Sequence, residues 1–126
     1  MENPILIADD DPVVREILGA ILESLGQTFD SASSGQETKE KVTNRLVNEA
    51  PYLLLFLDIQ MGDMTGIQVI QQLKNTFPDF VAKVVFLSAH AKQDVDKIHG
   101  QADEDYYLEK PFTSEQIAEI IDEIFQ

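Results

Sequence analysis

Four apolar runs in this chain each end in charged or hydroxyl side chains, and this pattern constrains the fold more than any other feature. In chain order the four ends are Asp9-Asp10-Asp11, Asp58, Ser88 and Lys110-Pro111. The runs before them have the unbroken apolar character of strands that are covered on both faces of a parallel sheet. In an open parallel sheet, ligand sites form at the carboxyl ends of the strands. The sequence therefore predicts that these side chains share one edge of a sheet.

Strand-like and helix-like segments alternate along the whole of the 126-residue chain. The predicted strands cover residues 5–9, 28–32, 52–57, 81–87 and 105–108, and the predicted helices follow them, one over roughly 93–102 among them. Alternation of this kind favours an α/β fold with right-handed crossovers and helices on both faces of a parallel sheet. The pattern does not give the order of the strands. No linker or repeat divides the chain, so we expect a single domain over residues 1–126.

Helix signals are strongest at the two ends of the chain. Asp11 is the expected cap of the first helix, with Pro12 in its first turn. The broad apolar face of that helix comprises Val13, Val14, Ile17, Leu18, Ile21, Leu22 and Leu25. The second predicted helix, over about 36–48, offers only Val42, Leu46 and Val47 as clear apolar contacts. Thr113 and Gln116 have the spacing of a capping box at the start of the last helix.

Composition and charge exclude several functional classes. The net charge of −14 opposes binding to nucleic acid or to anionic membranes. The absence of cysteine excludes disulfides, zinc–thiolate sites and thiol catalysis. No apolar stretch approaches the roughly 20 residues that span a bilayer, and the N-terminus lacks the basic start of a secretory signal. We therefore expect a soluble, cytoplasmic protein, present as a monomer or a weak dimer.

The polar ends of the four runs supply the groups that phosphoryl transfer to a carboxylate requires. A carboxylate can hold a phosphoryl group as an acyl phosphate, and Asp58 is the candidate nucleophile because its strand is the most buried. Asp10 is the expected direct ligand of Mg²⁺ or Mn²⁺, with Asp9 acting beside it or through water. Lys110 offers a positive charge to the phosphate, and Ser88 offers a hydroxyl that can donate to a phosphoryl oxygen.

The same residues, taken as motifs, closely resemble a known family. The motifs are Ile-Ala-Asp9-Asp10-Asp11-Pro12, Leu57-Asp58-Ile-Gln-Met61-x-x-Met-x-Gly66, Phe86-Leu87-Ser88-Ala89 and Tyr107-Leu-x-Lys110-Pro111-Phe112. In this order, they resemble the receiver domain of two-component response regulators over essentially the whole chain. The resemblance implies a flavodoxin-like (βα)5 fold with five parallel strands in the order 2-1-3-4-5.

The resemblance also implies a role for each matching position. Asp9 and Asp10 match the acidic pair, and Asp58 matches the residue that accepts phosphate from a sensor histidine kinase or a phosphotransfer protein. The remaining matches are the backbone carbonyl of Gln60 as a metal ligand, Ser88 as the switch hydroxyl, Tyr107 as the switch aromatic and Lys110 as the phosphate-binding cation. The Lys110–Pro111 peptide bond is expected to be cis, which an X–Pro bond permits.

Family behaviour suggests the response to phosphorylation, and the sequence departs from the family in two places. Ser88 is expected to move toward the phosphoryl group and Tyr107 to turn inward, which changes the face formed by the 93–102 helix, the fifth strand and the last helix. Gly62 stands where the family often has proline, so the loop after Met61 is expected to be looser. The segment 103–106 replaces a common Gly-Ala-Asp-Asp, which affects the output face. Gln60 and His90 occupy the positions that tune phosphoryl lifetime.

Several alternatives remain open at this point. Tyr107 could be an ordinary packing aromatic, and the domain could stand alone or be a fragment of a larger regulator. As a receiver it would catalyse only its own phosphorylation and dephosphorylation, and would either bind an unknown protein target or pass phosphate onward. The rivals are a pseudo-receiver that binds protein without phosphorylation and a Mg²⁺-dependent phosphohydrolase of the haloacid dehalogenase type. The latter typically has a second aspartate where this chain has Gln60.

Overall fold

The computed structural model describes residues 3–90 and 106–125. Within them, five strands and four helices are found, in the order β1 (Ile5–Ala8), α1 (Pro12–Ser24), β2 (Phe29–Ala32), α2 (Gly35–Val47), β3 (Leu54–Asp58), α3 (Gly66–Thr76), β4 (Lys83–Ser88), β5 (Tyr106–Glu109) and α4 (Ser114–Phe125). The helix predicted over 93–102 and the family departure at 103–105 lie outside the described residues. In the parts described, the predicted strands are found within two residues of their expected starts.

The five strands form one parallel sheet in the order β2-β1-β3-β4-β5. This confirms the flavodoxin-like fold and the strand order that the resemblance implied. The order changes direction between β1 and β3, which are neighbours in the sheet. A crevice forms at such a point, at the carboxyl ends of the strands.

Both faces of the sheet are buried, which explains the unbroken apolar runs. One core lies between the sheet and the helices α1 and α4. Its members include Ile5, Ile7, Leu54, Phe56, Val85 and Leu87 from the strands and Leu18, Leu22, Ile117, Ile120 and Ile121 from the helices. The other core lies between the sheet and the helices α2 and α3, and its members include Leu6, Ala8, Leu55 and Leu57 from the strands and Val42, Ile67, Val69, Ile70 and Leu73 from the helices. Successive side chains of each strand thus pack alternately into two separate cores.

The helix starts agree with the sequence signals. Asp11 caps α1, and its carboxylate accepts a hydrogen bond from the Val13 amide at 2.9 Å. Thr113 and Gln116 form the predicted capping box, with hydrogen bonds of 2.8 and 3.1 Å. The apolar faces were predicted too broadly, because Val13, Ile17 and Val47 are 58%, 51% and 68% exposed. No helix among the described residues is both long and apolar enough to cross a membrane.

A buried arginine ties α2 to the amino-terminal edge of the sheet, opposite the predicted site. Arg45 donates hydrogen bonds to the Asn3 and Ala50 carbonyls and to Asp30, and its guanidinium lies 4.0 Å from the centre of the Tyr52 ring. Burial raises the pKa of Asp30, but hydrogen bonds from Tyr52 and Asn3 and the charge of Arg45 outweigh it, so the net shift is downward. These contacts satisfy the buried charge and leave it a structural role.

Candidate functional site

The folded chain brings the polar ends of four strands to one edge of the sheet. Asp58 is the last residue of β3 and Ser88 the last of β4, while Asp9 and Lys110 directly follow β1 and β5. β3 lies between β1 and β4, and β5 lies beside β4. Asp9 is fully buried, and Asp58 and Ser88 are 5% and 2% exposed. Residues that are far apart in sequence thus share one crevice.

Three carboxylates at this edge are close enough to share a cation. Asp9, Asp10 and Asp58 each offer an oxygen atom, and these atoms all lie within 4.8 Å of one another. Asp10 is exposed while the other two are buried, so the cluster opens to solvent on one side. Asp11 does not join the cluster as a carboxylate, because its side chain caps α1 and its amide donates to Asp9 Oδ1 at 2.9 Å.

Lys110 supplies the positive charge that faces these acids in the structure. Its Nζ atom lies 2.8 Å from Asp9 Oδ2 and 3.5 Å from Asp58 Oδ1. Burial lowers the pKa of Lys110, but the hydrogen bond to Asp9 and the charges of Asp58 and Asp9 raise it by more. The net shift of the pKa is upward, so the ammonium stays charged. Asp9 Oδ2 is buried, and its contact among the described residues is this ion pair with Lys110. One ammonium facing three carboxylates whose oxygen atoms lie within 4.8 Å of one another leaves negative charge in excess, which fits a hard cation such as Mg²⁺ that takes oxygen ligands.

The surroundings of Asp58 shift its acid–base equilibrium strongly toward the protonated form. Burial and, to a lesser extent, the charge of Asp9 raise the pKa of Asp58, while the charge of Lys110 and a backbone hydrogen bond from Gln60 lower it, and the net result is a pKa of about 7. That hydrogen bond joins the Gln60 amide to Asp58 Oδ1 at 3.3 Å. Desolvation and like charge both disfavour the ionised form, so additional positive charge in the crevice would favour it.

Ser88 and Tyr107 are connected through the peptide groups of the chain after β4. The amide of His90 donates to Ser88 Oγ at 3.0 Å, and the hydroxyl of Tyr107 donates to the His90 carbonyl at 2.7 Å. Tyr107 is half-buried and packs against the core on the α2–α3 side of the sheet. Tyr107 is therefore both a packing residue, as one alternative expected, and a hydrogen-bond partner of the segment that carries Ser88.

Lys110 is held beside Ser88 by the backbone. The amide of Lys110 donates to the Ser88 carbonyl at 2.6 Å, which extends the pairing of β4 with β5 by one residue. The Lys110–Pro111 peptide bond is cis, as the resemblance implied.

The loop between β3 and α3 forms the remaining wall of the crevice. An isolated antiparallel bridge joins Gln60 to Thr65 and closes the loop at its base. Gly62 in the loop has a φ of 85°, a conformation that proline cannot adopt and that glycine adopts readily. Glycine at this position therefore accompanies a backbone conformation that is closed to proline, in a loop whose base is joined by the Gln60–Thr65 bridge, and the expected looseness of the loop stays a prediction.

Gly66, the first residue of α3, allows this helix to approach the end of β3. A β-carbon at Gly66 would lie 2.5 Å from the Asp58 carbonyl oxygen and 3.1 Å from Leu57 Cγ. Because the nearest atom is backbone, Gly66→Ala is expected to displace either α3 or Asp58 and to destabilise the protein by about 2 kcal/mol, measured by urea unfolding. Gly26→Ala is the comparison, because Gly26 has open space and a φ of 75°, so only backbone strain of about 1 kcal/mol is expected. Wild-type stability of Gly66→Ala would contradict this reading of the contact.

Two polar side chains near the site were missed by the sequence reasoning. Arg15 Nη1 donates to the Asp9 carbonyl oxygen at 2.7 Å. Asp11, four residues before Arg15, caps α1 through its side chain, so the local spacing gave no signal for the contact of Arg15 with Asp9. Asp63 contacts the start of α2, and no local pattern indicates this contact because its partners lie 27 and 28 residues away.

Comparison with protein families assigns the chain to one kind of domain. The family model described as the response regulator receiver domain matches residues 5–122. A solved structure of the response regulator TrrA from Thermotoga maritima, in complex with Mg²⁺ and a beryllium fluoride, is 27% identical. It superposes with a TM-score of 0.77, over 98% of this chain and 99% of that chain.

Two curated relatives are similar in sequence over most of this chain. A gliding motility regulatory protein from Myxococcus xanthus is 33% identical over 122 residues, which are 95% of this chain and 15% of that protein. The transcriptional regulatory protein SrrA from Staphylococcus aureus is 30% identical over 118 residues, which are 93% of this chain and 45% of that protein. The chain thus spans less than half the length of either relative.

Proposed function

The chain belongs to the response regulator receiver domain family, and from that premise we propose that Asp58 accepts a phosphoryl group from a sensor histidine kinase or a histidine phosphotransfer protein. The observation that carries the proposal is the position of Asp58, a buried carboxylate between Asp9 and Lys110 at the sheet edge. Few structural reasons exist for burying two acids against one another, since like charges at this distance are unfavourable. A site that binds positive charge provides such a reason.

The roles of the neighbouring residues follow from their chemistry. The carboxylates of Asp9, Asp10 and Asp58, with the backbone carbonyl of Gln60, would hold Mg²⁺ or Mn²⁺. Such an ion neutralises charge on phosphoryl oxygens and lowers the repulsion that an anionic donor meets on approach. An oxygen of Asp58 forms the bond to phosphorus as the bond to the donor breaks. Lys110 then faces the anionic product, which suits a mobile point charge.

Ser88 and Tyr107 are proposed to convert this chemistry into a change of shape. The Ser88 hydroxyl donates to a phosphoryl oxygen on Asp58, which draws the chain after β4 toward the crevice. Because the His90 peptide links Ser88 to Tyr107, this movement breaks the hydrogen bond that holds the Tyr107 hydroxyl and frees the ring to turn inward. The surface beside β5 and α4 changes in consequence and controls a downstream protein or a further phosphoryl transfer. Phosphorylation thereby biases a two-state element.

The test is to incubate the protein with Mg²⁺ and acetyl phosphate and to follow its intact mass. We expect one acid-stable, base-labile phosphoryl adduct, no adduct when the metal is chelated, and none in Asp58→Asn. Absence of an adduct on the wild-type protein would overturn the proposal and favour a binding module that acts without phosphorylation. Turnover of many organic phosphates would instead indicate a phosphohydrolase.

A further inference from the structure

Asp63 lies in the β3–α3 loop but makes most of its contacts with a different element. Its Oδ1 accepts a hydrogen bond from the Gly35 amide and its Oδ2 one from the Gln36 amide, both at 2.9 Å. Its Oδ1 also accepts from the amide of Met64, within its own loop, at 3.0 Å. A carboxylate that accepts several backbone amides at a helix start is held firmly, by charge-assisted hydrogen bonds and by the helix dipole.

These contacts complete the hydrogen bonding of the first turn of α2. The amides of Gly35 and Gln36 donate to Asp63, the amide of Glu37 donates to the Ser34 hydroxyl at 3.0 Å, and that of Thr38 donates to the Ser34 carbonyl. The helix start therefore uses one local cap, Ser34, and one distant cap, Asp63. The distant cap binds two amides that a local residue would ordinarily leave to water.

A second contact joins the loop to α2 at the same place. The Met64 side chain packs over Gly35 so closely that a β-carbon there would lie 2.3 Å from Met64 Cγ. Adjacent loop residues, one polar and one apolar, thus fix the outer part of the loop to α2. The Gln60–Thr65 bridge fixes its base. The loop is therefore attached both at its base and at its outer part, although Gly62 stands where the family often has proline.

The loop and the exposed acid of the site face each other across one cleft. Asp10 lines it together with residues 60–65 of the loop. We propose that Asp63 is a positioning residue that sets metal affinity, because its attachment to α2 holds the loop, and with it the Gln60 carbonyl, in place beside the carboxylates. This inference rests on the proposed function. It also implies that metal binding is felt at the start of α2.

The experiment is a Mg²⁺ titration of the full chain, without phosphodonor, followed by backbone amide resonances. We expect the Gly35 and Gln36 resonances to shift with Mg²⁺ in the wild-type protein. Asp63→Ala is expected to raise the dissociation constant for Mg²⁺ ~10-fold, which is the scale for residues that orient metal ligands. It is also expected to remove the response of the Gly35 and Gln36 amides. Asp63→Asn keeps one acceptor oxygen and should be intermediate. The dispersion of the same spectra reports whether each variant is folded.

Ser34→Ala is the matched control, because it removes the other cap of α2 without touching the loop. It should leave the Mg²⁺ affinity unchanged. Equal affinities of Asp63→Ala and the wild-type protein would overturn the inference and leave the proposed function intact. If Asp63→Asn and Asp63→Ala lose the same amount of Mg²⁺ affinity, the effect comes from charge alone. If Ser34→Ala also loses Mg²⁺ affinity, the effect comes from helix stability. Either result would overturn the inference. A wild-type protein that binds no Mg²⁺ would overturn the proposed function together with this inference.

Discussion

Replacement of Lys110 by methionine is expected to slow the labelling of Asp58 by acetyl phosphate roughly 100-fold or more, the scale for loss of one preorganised charge beside a reacting oxygen. Lys110 Nζ lies 3.5 Å from Asp58 Oδ1, so it is positioned to face charge that develops on a phosphoryl group held there. Methionine keeps much of the length and apolar volume of lysine and removes only the charge. The rate of appearance of the phosphorylated mass at saturating Mg²⁺ is the measurement.

The same substitution should act differently on metal binding, which makes the prediction specific. The Lys110 ammonium competes with a cation for Asp9, to which it lies 2.8 Å away in the structure. Removing it is expected to leave Mg²⁺ affinity unchanged or to increase it. Lys110→Arg keeps the charge but changes its shape, and should retain more labelling than Lys110→Met. Parallel loss of Mg²⁺ binding and labelling in Lys110→Met would show that Lys110 supports the fold of the site rather than the transfer.

The strands and the convergence of their ends could be predicted because each rests on a local pattern. All four residues of β1 are buried, and so are all five of β3. A strand covered on both faces must be apolar throughout, so an unbroken run indicates it directly. In a parallel sheet the carboxyl ends of the strands lie at one edge, so Asp58 and Ser88, the last residues of β3 and β4, must lie there.

The buried faces of the helices were less predictable, because periodicity shows which side of a helix is apolar but not how much of that side a neighbouring element covers. Leu18 and Leu22 of α1 pack against the sheet, whereas Val13 and Ile17 on the same helix are mostly exposed. Val47, in the last turn of α2, extends past the packed core and is also exposed. How far a neighbouring element reaches is a tertiary property that no window of one helix contains.

Contacts that join distant segments could not be predicted either. Arg45 reads as an ordinary surface residue of a polar helix, yet it is only 7% exposed and reaches Asp30 and Asn3. Asp63 reads as a turn residue, yet it caps α2. In both cases a charged side chain satisfies backbone groups of an element that only the finished fold brings near.

The second large effect concerns the stability of the metal-free protein. In EDTA at pH 8, Asp58→Asn is expected to be more stable than the wild-type protein by on the order of 3 kcal/mol. Burial beside Asp9 raises the Asp58 pKa from 3.8 to about 7, so at pH 8 the wild-type protein must hold an unfavourable charge in the crevice. Asparagine has nearly the same shape and no charge. The figure follows from about 1.4 kcal/mol for each pH unit between the two pKa values, reduced for the screening of charge by solvent in a crevice that is open on one side.

The sign of the pH dependence follows from the direction of the shift. A carboxyl group whose pKa is higher in the folded state binds its proton more tightly there, so the wild-type protein loses stability as the pH rises from about 4 to about 7. The stability difference between Asp58→Asn and the wild-type protein should therefore be largest at pH 8 and shrink toward pH 5. Thermal unfolding across this range in EDTA provides the measurement, and subtraction of the two curves removes groups that titrate in both proteins.

Magnesium should reverse the order of the two proteins. An ion that binds only the folded wild-type protein stabilises it by mass action, whereas Asp58→Asn lacks one of the three carboxylates and should gain much less. Asp79→Asn, a substitution of an exposed acid on the α3–β4 turn, is the control and should show a small difference that does not change when Mg²⁺ is added. A stability difference for Asp58→Asn that stays constant from pH 5 to pH 8 would mean that the Asp58 carboxylate is not strained in the metal-free crevice. The repulsion between Asp58 and Asp9 would then no longer be a reason to expect a cation there.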